Sequence, residues 1–122
     1  MSLTASYDVS ELLARRADLS EPGDATAVLG LLEAYAQDPM GLSGPLPAEV
    51  RERVIDGLRR TPNALVFLAL GRPAEACAPV ALGAAVCFTA YSTFRAGPLV
   101  NVHDLIVLRE ARGRGVGKLL LE

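Results

Sequence analysis

The stretch LVNVHDLIVLREARGRGVGKLLLE (residues 99–122) decides how this chain is read. From Leu99 to Leu108 it is β-branched and aliphatic, which predicts a strand. "REARG" then connects to a run of leucines that predicts a helix. Between strand and helix lies Arg112-Gly113-Arg114-Gly115-Val116-Gly117, an R-x-x-G-x-G. Glycines at such a turn let the backbone approach an anion without a Cβ in the way. The N–H groups that open the helix are left free to hold it. Arg109, Arg112, Arg114 and Lys118 against Glu110 make this the most basic segment of an acidic chain.

Two common phosphate loops do not fit. A Walker A loop needs Gly six residues before its Lys and Ser or Thr after it, but Lys118 has Arg112 and Leu119 there. A Rossmann G-x-G-x-x-G starting at Gly113 would need Gly where Lys118 stands. It would also belong to a βαβ unit early in a domain.

Working outward, VALGAAVCFTAY (80–91) and ALVFLAL (64–70) predict two more strands, the first with small residues that permit close packing. A strand is also expected near Leu12 to Leu19. Val28, Leu31, Leu32 and Tyr35 repeat at helical spacing after Pro22, with Ser20 and Asp24 as candidate N-caps and "QDPMG" as the stop. Pro47 opens a second helix with Val50, Val54 and Leu58 on one stripe and a Glu49–Arg53 pair, ending at Thr61-Pro62. The order β-α-α-β-β-β-α with short strand connections implies an antiparallel meander in an α+β fold.

The chain has 122 residues, 51% hydrophobic and 21% charged, which suits one ordered domain over 1–122. A formal net charge of −2 gives no electrostatic case for nucleic acid. The two cysteines, Cys77 and Cys87, form no CxxC and have no nearby His, so free thiols in a reducing cytosol are expected, and no metal. No basic-then-apolar leader opens the chain, and the longest apolar run, Val80 to Ala90, is too short to span a bilayer as a helix. A cytoplasmic protein without membrane association is the expectation.

With these residues in hand, the chain resembles the GNAT (Gcn5-related) N-acetyltransferases, whose pyrophosphate loop at this point of the fold holds acetyl-CoA. The block FTAYSTFRAGPLVNVHDLIVLREARGRGVGKLLLE (88–122) is similar to the diamine, polyamine and thialysine acetyltransferase subgroup. Before residue 88 the likeness covers only element order and the style of the first helix. The resemblance implies acetyl transfer from acetyl-CoA to a primary amine of a small molecule, with no metal.

Residue by residue, Leu105, Ile106 and Val107 fall where the family's strand pairs its main chain with the pantetheine arm. Arg112, Gly113, Arg114, Gly115, Val116, Gly117 and Lys118 fall on the pyrophosphate loop. His103 falls where polyamine enzymes carry a Glu that activates the amine through water, and an imidazole can take an ammonium proton near neutral pH. Asp104 keeps the adjacent acid. Tyr91, Ser92 and Phe94 fall on the acceptor-side turn, where polyamine enzymes place an acid and Trp at the positions of Ser92 and Phe94. That difference, with His for Glu at 103, points to a smaller amine or an amino acid.

The bland alternatives are core packing for His103, Tyr91 and Phe94, and a turn anchor for Asp104. Strict alternation puts His103 and Asp104 on opposite faces, so both serve one site only if the strand bulges there. Family members continue past this helix with a strand, a helix and a hairpin that carries, commonly, a Tyr protonating the thiolate. The sequence-based expectation is therefore a truncated GNAT domain whose open strand edge makes it a homodimer. A CoA-binding relative without turnover and a protein-interaction module are the other classes.

Overall fold

A computed structural model describes residues 11–72 and 78–122. Along them run β1 (Leu13–Arg16), α1 (Pro22–Gln37), α2 (Ala48–Arg59), β2 (Ala64–Gly71), β3 (Val80–Ser92), β4 (Gly97–Val107), one 3-10 turn (Arg109–Ala111) and α3 (Val116–Leu121). The strands form one sheet in the order β1-β2-β3-β4, each pair antiparallel. The expected α+β meander is what the chain forms. β4 is an edge strand that carries His103 to Val107, with the hairpin of Ser92 and Phe94 before it and the glycine loop after it.

The sheet has two differently dressed faces. On one, Val66, Leu68, Ala84, Val86 and Ile106 pack against Val28 and Leu31 of α1, with Ile55 and Leu58 of α2 behind. Leu68 and Val28 are fully buried there. On the other, Ala69 and Leu82 pack against Ala111 and Val116, so α3 covers one end of that face. Gly83 makes this approach possible. A Cβ there would stand 2.6 Å from the Ile106 carbonyl oxygen and 2.9 Å from Val116 Cγ1. The rest of that face is an apolar groove of about 580 Å³ lined by Phe67, Cys87, Val100, Val102, Leu119 and Leu121.

Several local expectations are corrected. Neither Ser20 nor Asp24 caps α1: Glu21 is the N-cap residue and makes no side-chain cap bond, while Pro22 stands in the first turn. Asp24 is occupied elsewhere. Its carboxylate accepts from Arg15 Nη2 and Nη1, at 2.7 and 2.8 Å, and from the Asp18 N–H at 2.8 Å. The hydrogen bond from Arg15, then that from Asp18, holds its pKa down at about 2. In α2, Val50 of the stripe is exposed, and no residue of the helix is fully buried. Its ion pairs are Asp56 with Arg59 and Arg60, and Arg51 with Glu33 of α1, in place of Glu49 with Arg53. Cys87 is a buried free thiol whose pKa burial raises. Cys77 lies outside the described residues.

Candidate functional site

The site is built along β4. From Gly97 to Val102 the strand pairs with β3 in one phase, with Val102 opposite Cys87. From Asp104 to Val107 it pairs in another, with Asp104 opposite Val86. His103 is the extra residue between the two phases, a β-bulge. The bulge brings His103 and Asp104 to the same side of the sheet. Val86 and Phe88 both belong to the α1 face, and the His103 ring packs edge-on against Phe88 with centroids 5.6 Å apart. His103 Nε2 stands 3.9 Å from Asp104 Oδ2, beyond hydrogen-bond range. The imidazole is 68% exposed and the carboxylate 26%, so neither is a packed core residue.

Past the bulge, the Leu108 N–H donates to the Leu82 carbonyl at 2.9 Å. Alternation along an antiparallel ladder then aims the main chain of Ile106 and Asp104 at β3 and that of Leu105 and Val107 at the open edge. The Ile106 side chain is core, whereas that of Leu105 is partly exposed. This edge offers donors and acceptors to an extended ligand.

At the end of the strand, the 3-10 turn leads into the glycine loop. Gly113 and Gly115 have φ of +80° and +85°, a left-handed backbone that side-chain-bearing residues rarely adopt. A Cβ on either would meet no protein atom within 4 Å, so the demand is conformational and the space above the loop is open. Gly115 is the N-cap residue of α3, and its carbonyl accepts the Leu119 N–H at 3.0 Å. The N–H groups of Val116, Gly117 and Lys118 have no partner within the helix, as at any helix start. The Val116 side chain is fully buried, so only its main chain is available. Lys118 is exposed. The residues therefore fit a diphosphate held by backbone amides in a basic surround.

Arg112 makes two bonds that span the end of the strand and the end of α1. Its Nε donates to the Val107 carbonyl at 3.1 Å, and its Nη2 to Asp38 Oδ2 at 2.8 Å. Asp38 is the C-cap residue of α1 and only 8% exposed. Its other oxygen accepts the Met40 N–H at 3.0 Å. That bond, then the Arg112 bond, keeps its pKa below the ordinary carboxylate range. Asp38 is a residue that sequence reading passed over.

The structure thus groups His103, Asp104, the outward main chain of Leu105 and Val107 and the 112–118 loop along one edge, whereas Ile106, expected there too, turns its main chain to β3. Tyr91, Ser92 and Phe94 sit apart at the β3–β4 hairpin. Tyr91 pairs with Pro98, five residues before His103, or roughly 16 Å along the strand. Tyr91 and Phe94 are exposed, which removes the core-packing alternative for both. The Ser92 hydroxyl accepts the Arg95 N–H at 3.3 Å. Among the described residues no group of three or more metal-ligating side chains occurs, and no helix is long and apolar enough to cross a membrane.

Comparison with solved structures fixes the fold. A possible acetyltransferase from Clostridium difficile 630 superposes with a TM-score of 0.67 at 13% identity, over 91% of this chain and 66% of that one. A GNAT family acetyltransferase from Staphylococcus aureus gives 0.66 at 12% identity, over 91% and 73%. AAC(6')-Iy, in complex with the bisubstrate analogue CoA-S-monomethyl-acetylneamine, gives 0.63 at 19% identity, over 90% and 66%. The chain has the fold of GNAT acetyltransferases and spans 66% of the length of the first of these structures. No family model and no curated protein sequence matches it significantly.

Proposed function

We propose that this chain binds acetyl-CoA along the β4 edge and belongs to an N-acetyltransferase of the GNAT family that acts on a primary amine of a small molecule. The observation that carries this reading is one continuous edge. A bulge displays His103 and Asp104, the main chain of Leu105 and Val107 faces outward, and a loop with two left-handed glycines closes the end. The likeness of the fold to acetyltransferases, one of them bound to a CoA analogue, supports it.

When bound, acetyl-CoA supplies the acetyl group as a thioester. The amides from Gly113 to Lys118 hold the diphosphate, and the Leu105 main chain with the Val107 N–H orients the arm. His103 takes a proton from the acceptor ammonium, directly or through water, with the Asp104 carboxylate beside it. The amine nitrogen then bonds to the acyl carbon as the carbon–sulfur bond breaks, and the second nitrogen proton passes, through water, to the departing sulfur, which leaves as the CoA thiol. By the resemblance, His103 stands where the polyamine subgroup carries a Glu, so the reading favours a small amine or amino acid. The same reading has a second copy of the chain cover the open β4 edge beside Val100 and Val102.

Thermal shift with millimolar CoA and a thiol-release assay over a panel of amines test it. CoA should raise the melting temperature, and Gly115→Asp should abolish that shift. Gly115→Asn, neutral and tolerant of left-handed backbone, should keep part of it. No stabilisation by CoA would refute the reading. Stabilisation with no thiol release from any amine would leave a CoA binder without turnover.

A further inference from the structure

Asp38 is the one charged residue among the described ones that is buried, and it lies in a cleft of about 310 Å³ between the end of α1 and the end of β4. The cleft is also lined by Tyr35, Val107, Arg109 and Arg112. A buried carboxylate persists only if its oxygens are satisfied. Here one oxygen takes the Met40 N–H, and the other takes Arg112, with the Arg109 guanidinium 3.7 Å away. Arg112 is at the same time bonded through Nε to the Val107 carbonyl. A planar guanidinium can hold two acceptors in fixed directions, which an ammonium on a flexible stem cannot. One side chain therefore ties the first residue of the glycine loop both to the free edge of β4 and to the helix on the other side of the cleft.

We infer that Asp38 is a positioning residue for the anion loop, acting through Arg112, and that the Arg112 side chain serves as a brace rather than as a ligand of the anion. The inference rests on the CoA reading above for its ligand. The brace fixes where the chain leaves Arg112, and so where the amides of Gly113 to Gly117 point. Its charge is matched by Asp38, which leaves the loop's anion affinity to the backbone amides. It also joins the α1–α2 connection, which starts at Asp38, to the cofactor side of the molecule.

The test uses the whole chain with CoA as probe. Calorimetry should show Asp38→Asn and Arg112→Lys each weakening CoA binding about tenfold, and the double variant no more than either alone, as expected for two members of one brace. Asp38→Glu, which keeps the carboxylate, should stay within about threefold of the parent. Amide hydrogen exchange without ligand should quicken at Gly113 to Gly117 in both variants and stay unchanged in β2, an effect that general loss of stability would not produce. Additive losses, or unchanged CoA affinity, would overturn the inference. If the parent binds no CoA, the functional reading falls, and the exchange arm decides the brace alone: unchanged loop amides would remove it. If Asp38→Asn does not fold, Arg112→Lys carries both measurements.

Discussion

The two faces of the sheet are built from the same four strands, yet helices cover most of one and only one end of the other. The α1 face is sealed by α1 over the layer from Val66 to Ile106, with Ile55 and Leu58 of α2 behind, and opens toward the bulge, where His103 is exposed. The opposite face is covered by α3 at one end and shows Val100 and Val102 at the other. The difference teaches where stability and where adaptability lie. The closed face anchors the bulge and the end of β4 from behind. The half-open face holds the loop in place through a short helix and leaves an apolar strip for a further partner.

Four substitutions would break or sharpen that contrast. Leu68→Ala, in the sealed layer with no exposed surface, should cost about 3 kcal/mol in denaturant unfolding, since the cavity cannot collapse between two layers. Gly83→Val should cost about 2 kcal/mol, because the added carbons meet the Ile106 carbonyl and Val116, and it should displace α3 and weaken CoA-dependent thermal stabilisation as well. Asp24→Asn should cost about 1 kcal/mol at neutral pH, discounted because Arg15 is 43% exposed. The sign of its pH dependence follows from the depressed pKa. Asp24 contributes fully above the ordinary carboxylate range and loses that contribution as pH falls toward about 2, so parent and variant should converge in acid melts. Smallest of all, Val102→Lys should change monomer stability by less than about 0.5 kcal/mol, as it lies on the exposed strip. Sedimentation should nonetheless show a fall in self-association, and an unaltered sedimentation profile would remove the β4 edge as a contact between copies.

Much of this was legible in order and spacing. Short aliphatic runs placed the strands and helical spacing placed the helices, and the turn residues around Pro22, Pro47 and Pro62 set their ends. The glycine loop was legible because two of its glycines answer a local demand, a positive φ. What was hidden depends on partners distant in sequence. Asp24 looked like a cap because caps are local, but Arg15 lies across from it on β1. Asp38 read as part of a helix stop, and its partner Arg112 is 74 residues away. The phase of β4 was also hidden. Val100, Val102, Asp104 and Ile106 share one parity, and an unbroken strand would put all four on one face; the bulge sends the first pair to the half-open side and the second to the sealed side.

That bulge has a consequence for insertions and deletions. Removing any paired residue within β4 shifts the neighbours on one side by one place and turns them to the wrong face. Removing His103 does not, because it is the residue without a place in the ladder. Its deletion joins Val102 to Asp104 with their partners Cys87 and Val86 already adjacent. β4 therefore carries one position at which length can vary while the fold is conserved, and it is the position of the imidazole.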